Sequence, residues 1–113
     1  MEIKKVTVFG SGVLGAQIAF HTAYHGYEVI LFDLKQNLLE QARLKFEQFK
    51  EWYQKDINAH SGDLDMALSR ISLTTNLQES VQDADLTIEA ISENLQIKKN
   101  FYRQLSEIAQ WRS

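Results

Sequence analysis

Gly10, Gly12 and Gly15 stand in the spacing Gly-x-Gly-x-x-Gly, between the apolar run Val6, Val8, Phe9 and a helical pattern opening at Val13. A phosphate-binding turn needs each of them for a separate reason. Gly10 permits a tight exit from a strand, Gly12 lets a pyrophosphate approach the backbone, and Gly15 lets the helix pack closely on the strand. The free N–H groups and positive dipole end of that helix then face the phosphates. Asp33 closes the next apolar run, Val29 to Phe32, and lies 18 residues after Gly15. That is close to the place of an acid that accepts hydrogen bonds from ribose hydroxyls. Such a carboxylate also repels a 2′-phosphate. The turn Gly10, Ser11, Gly12, Val13, Leu14, Gly15, together with Asp33, is therefore expected to bind NAD in preference to NADP. A glycine triplet alone is equally a helix-starting loop. The strand before it, the helix after it and the acid beyond it favour the dinucleotide. Nearby Lys35 is read as a solvated surface lysine.

The elements that position this turn follow from apolar spacing. Val13, Leu14, Ile18, Ala19 and Ala23 have helical spacing, with Gly26 as the stop. Val29 to Phe32 is a continuous apolar run, as in a parallel strand covered on both faces. A long amphipathic helix is predicted from about Asn37 to Ile57, with Leu38, Leu39, Ala42, Phe46, Phe49, Tyr53 and Ile57 on one side. His60-Ser61-Gly62 is read as its break, followed by a shorter helix over 63–70. Ile71 to Thr74 suits an edge strand, Leu77 to Asp83 one or two helical turns, and Leu86 to Ile91 a further strand. Asn94 is read as the cap of a last helix carrying Ile97, Phe101, Leu105 and Ile108. The fold class is α/β, a Rossmann-type parallel sheet of three to four strands with a long helical excursion after the second. The expected spatial order is the Ile71, Val29, Val6 and Leu86 strands.

Composition bounds the partners. The 113 residues are 44% hydrophobic and carry a formal charge of −3, which gives no electrostatic reason to expect nucleic acid or an anionic membrane. Cysteine is absent, so neither a disulfide framework nor a thiolate metal site is expected, and no metal ligands are assigned. No apolar run approaches the roughly 20 residues of a membrane span. A cytoplasmic location is the expectation. His21 and His25 fall in the first helix and His60 in a polar break. None is assigned a catalytic role, and Glu89, in a strand, is assigned no chemistry.

With these residues in place, the chain resembles the N-terminal domain of the L-3-hydroxyacyl-CoA dehydrogenases. The resemblance is carried by "VFGSGVLGAQIA", by the helical excursion after the second strand, and by "DADLTIEAISENLQIKKNFYRQL", Asp83 to Leu105, which is similar to the family's strand and "EA-x-x-EN" loop. It covers about Ile3 to Ala109. It implies that Glu93 and Lys98 contact the cofactor near its nicotinamide half and that Asp33 contacts the adenosine ribose. The helical excursion corresponds to the region that helps hold the CoA moiety. Here that stretch carries Phe46, Phe49, Trp52 and Tyr53, which are read as packing residues.

The family's catalytic histidine, its partnering glutamate and its helical C-terminal domain have no counterpart in residues 1–113. The chain is therefore expected to be one dinucleotide-binding domain, incomplete at its C-terminus. It would be the NAD-binding part of an enzyme that transfers hydride between a 3-hydroxyacyl-CoA, or a related 3-hydroxy acid, and NAD in fatty acid metabolism. The piece itself is expected to lack the base and to be inactive. A stand-alone NAD(H)-binding or regulatory module is the alternative from another class, and a sugar-acid dehydrogenase of similar architecture the alternative within enzymes. Self-association is expected through the apolar Leu86 strand at the sheet edge.

Overall fold

The computed structural model describes residues 2–91. Glu93, Lys98 and the helix expected from Asn94 onward lie outside them. Four strands, β1 (Lys5–Phe9), β2 (Glu28–Phe32), β3 (Ile71–Thr74) and β4 (Leu86–Glu89), form one parallel sheet in the order β3-β2-β1-β4. This is the order expected from the sequence. Helices α1 (Val13–Tyr24), α2 (Gln36–Asp56), α3 (Ser61–Ser69) and α4 (Leu77–Val81) connect the strands.

Side chains alternate across each strand, and the two faces bury different sets. Val6, Val8, Val29 and Leu31 point towards α1, α2 and α3, meeting Ala16, Ala19, Phe20, Ala23, Phe46, Phe49 and Leu64. On the other face Phe9 and Phe32 pack with Leu77 and Val81 of α4. The same face buries Thr7, whose hydroxyl donates to the carbonyl of Ser80, so a polar side chain in the core is satisfied. Among the described residues no helix is long and apolar enough to cross a membrane.

Two expectations need correction. The buried face of α1 consists of Gly15, Ala16, Ala19, Phe20 and Ala23, whereas Val13 and Leu14 are each 60% exposed. Small residues line the side against the sheet because the helix lies close to it. Val13 and Leu14 sit in the first turn on the side turned to solvent. The break after α2 also falls earlier than Gly62. Asn58 takes the left-handed conformation, φ 55°, and the N–H groups of Ile57 and Ala59 both donate to the carbonyl of Tyr53. Asparagine is the non-glycine residue best suited to end a helix this way. His60 is extended and α3 starts at Ser61, so Gly62 lies inside that helix.

Candidate functional site: a glycine turn at the carboxyl ends of the strands

The turn between β1 and α1 sits at the carboxyl ends of the parallel strands. There β1 is flanked by β2 on one side and β4 on the other. The chain runs from β1 to β2, and the neighbour on the opposite side, β4, comes from much later in the sequence. This reversal of strand order is where open parallel sheets leave a crevice for ligands.

Three glycines build the turn in different ways. Gly10 has φ +101°, and a β-carbon on it would meet the Ala90 carbonyl oxygen at 2.5 Å. A β-carbon on Gly15 would overlap the carbonyl oxygen of Gly10. Both positions are closed to any side chain by neighbouring backbone. At Gly12, by contrast, a β-carbon would meet nothing within 4 Å among the described residues. Its open side is the place where a phosphate can come against the backbone. Gly12 is also the N-cap of α1, no side chain among the described residues caps that helix, and its first turn holds no acidic residue. The N-terminal amides of the helix and its dipole are thus open to an anion.

Asp33 follows β2 and turns back onto the glycine turn. Its Oδ2 accepts from the Ser11 N–H at 2.7 Å and from the Ser11 Oγ at 2.6 Å, while Oδ1 accepts from the Leu34 N–H at 2.7 Å. Ser11 itself is 2% exposed. The turn is tied to β2 again by Gly10 N–H donating to the Phe32 carbonyl at 2.8 Å. Sequence reasoning brought Asp33 to the turn by its spacing but gave Ser11 no side-chain role. No pattern of residue types marked the pair, since they are 22 positions apart.

The other candidates lie elsewhere. At 1.5 Å per residue, His21 and His25 are about 13 and 20 Å along α1 from Gly12. Neither is within the roughly 3 Å of a proton-transfer contact at the turn. His21 Nδ1 instead pairs with the Tyr53 hydroxyl at 2.7 Å. The Tyr53 phenol is pushed up from its ordinary value, first by burial and then by neighbouring Tyr24. Glu89 accepts the Ile91 N–H at 2.8 Å and so closes the end of β4. Phe46 and Phe49 are buried and stack around Phe20. Trp52 packs on Phe49 from outside and is 43% exposed. Among the described residues no group of three or more His, Asp or Glu is gathered for a metal ion.

A parallel sheet of this order, with a glycine turn at its switch point and an acid after the second strand, defines a dinucleotide-binding domain of Rossmann type. Within that class, the family model described as "3-hydroxyacyl-CoA dehydrogenase, NAD binding domain" matches residues 5–112. The chain belongs to this family. It is 34% identical over 113 residues to a probable 3-hydroxyacyl-CoA dehydrogenase of Caenorhabditis elegans, a match covering 96% of the chain and 37% of the relative. To the mitochondrial hydroxyacyl-coenzyme A dehydrogenase of Homo sapiens it is 31% identical over 112 residues, covering 95% and 36%. The chain therefore spans little more than a third of these relatives. Among solved structures, a diketoreductase superposes with TM-score 0.89 at 40% identity, covering 96% of this chain and 38% of that one.

Proposed function

We propose that residues 1–113 bind NAD(H), in preference to NADP(H), as the cofactor half of an oxidoreductase. That enzyme would move hydride between carbon 3 of a 3-hydroxyacyl-CoA, or a related 3-hydroxy acid, and NAD. One arrangement carries the reading: the open, uncapped α1 N-terminus at Gly12 beside a carboxylate, Asp33, held at the same turn. Pyrophosphate fits the first and the adenosine ribose the second. When bound, the nicotinamide supplies the hydride acceptor or donor. The protein's own part is to bind and orient through the amides of Gly12, Val13 and Leu14 and through the Asp33 carboxylate. Glu93 and Lys98 are assigned to the nicotinamide side by their match to the family's "EA-x-x-EN" motif.

The distance of His21 and His25 from the turn supports a further proposal, that the catalytic base comes from another part of the enzyme. On that reading this chain alone should not turn over acetoacetyl-CoA with NADH. Self-association through β4 belongs to the same proposal, because among the described residues β4 pairs only with β1.

Thermal shift with NAD, NADH and NADP tests the binding. Ligand at 100 times its dissociation constant stabilises the fold by about 2.7 kcal/mol. Asp33→Ala should weaken NAD binding by roughly 1.5–3 kcal/mol for each charge-assisted ribose hydrogen bond lost. Equal shifts with NAD and NADP, or normal NAD binding by Asp33→Ala, would remove Asp33 from the site.

A further inference from the structure

The Asp33 carboxylate offers about four acceptor places, two on each oxygen. Among the described residues three are in use. Oδ2 takes both the N–H and the hydroxyl of Ser11, at 2.7 and 2.6 Å, and Oδ1 takes the Leu34 N–H at 2.7 Å. One place remains, on Oδ1. The adenosine ribose of a dinucleotide brings two hydroxyl donors. Both can be accepted only if one internal donor withdraws.

The three internal donors differ in freedom. Two are backbone N–H groups. The Ser11 amide is set by the turn, which is anchored where Gly10 N–H meets the Phe32 carbonyl at 2.8 Å. The Leu34 amide is fixed by its own peptide link to Asp33. The third donor, the Ser11 hydroxyl, can turn about its side-chain bond at no cost to the backbone. It is also the one of the three that a substitution deletes without altering the backbone.

We infer that Ser11 sets how the site takes the adenosine ribose: its hydroxyl holds the Asp33 carboxylate in the free protein and gives way to the second ribose hydroxyl on binding. Ser11 is on this view a positioning and specificity residue that competes with the ligand for Asp33. The inference rests on the NAD reading above and extends it to a residue whose side chain had no role there. It has a definite sign. Deleting the hydroxyl should strengthen binding of a ligand that needs two places, and should do nothing for a ligand that needs one.

Isothermal titration of Ser11→Ala and the wild-type chain with NADH, and with the analogue carrying 2′-deoxyadenosine, reads this out. Ser11→Ala is expected to bind NADH roughly ten- to a hundredfold more tightly, the worth of one hydrogen bond to a charged acceptor. Wild type and variant are expected to bind the deoxy analogue equally. Ser11→Gly removes the same hydroxyl and is expected to reproduce both results, should the alanine variant fold poorly. Thermal melting without ligand establishes folding for each. Equal or weaker NADH binding by both variants would show that the hydroxyl does not compete, leaving the NAD reading intact. The same gain with the deoxy analogue would place the effect away from the ribose and equally overturn the inference. Failure of the wild type to bind either dinucleotide would end both the inference and the reading beneath it.

Discussion

The carbonyl oxygen of Gly10 occupies the space that a β-carbon on Gly15 would require. The strand exit and the first turn of α1 are in backbone contact, and the methyl of Ala90 lies 3.6 Å from the same point. This contact sets how close α1 comes to the sheet, and so where its amino end stands over the crevice.

Gly15→Ala should therefore damage the fold itself. Overpacking of this kind typically costs about 1–3 kcal/mol, and here the obstruction is backbone with no rotamer to yield. Gly12→Ala should behave in the opposite way. Gly12 has φ −65° and an extended ψ, with open space around it. Its stability should stay within about 0.5 kcal/mol of wild type, while NAD binding falls sharply as the methyl enters the phosphate's place. Urea titration and NADH binding on both variants check the contrast. A Gly12→Ala chain that binds normally would refute the placement of the pyrophosphate.

Phe20 is the keystone of the three-helix side. It is fully buried and lies with ring centroids 6.0 Å from Phe46, 5.8 Å from Phe49 and 5.0 Å from Tyr53. Phe20→Ala should cost about 3–5 kcal/mol. A small domain holds only about 5–15 kcal/mol in total, so the variant should melt well below the wild type by circular dichroism. Saturating NAD should recover part of the loss.

Asp85 gives the fold an acid sensitivity. Its Oδ2 accepts the N–H groups of Lys4 and Lys5 at 2.9 and 3.0 Å, and these bonds hold its carboxyl below the usual range. The unfolded chain therefore takes up this proton first as pH falls. The contribution is whole above about pH 4, near the ordinary aspartate value, and is lost as pH drops through the lowered value. Asp85→Asn should melt lower than wild type at pH 6, and the gap should narrow towards pH 3. Asp85 is exposed, so added salt should also shrink the gap. A gap independent of pH would assign the effect to hydrogen-bond geometry instead of charge.

β4 carries no charge at its exposed apolar end, where Leu86 is 42% exposed. Sedimentation velocity over a hundredfold concentration range should show association that Leu86→Lys reduces, because charge on an edge strand opposes edge-to-edge pairing. A monomer at every concentration would count against this edge as the contact.

The sequence by itself determined the parallel sheet, its strand order and the place of the turn. Apolar run length, helical spacing and glycine placement are local properties, and the right-handed crossover leaves few ways to arrange the strands. The burial of α1 was legible only in part, since the apolar helical spacing took in Val13 and Leu14 together with Ala19 and Ala23. Hydrophobicity alone does not say which side of a largely apolar helix approaches a sheet. The closeness of the backbone at Gly10 and Gly15 decides it, by admitting only small residues there. Asp33 was found by its distance along the chain from Gly15. Its pairing with Ser11 belongs to the tertiary structure, because it arises only when β1 and β2 lie side by side and bring their carboxyl ends together. Hydrogen bonds between residues far apart in sequence are set by that register, and no local pattern of side chains records them.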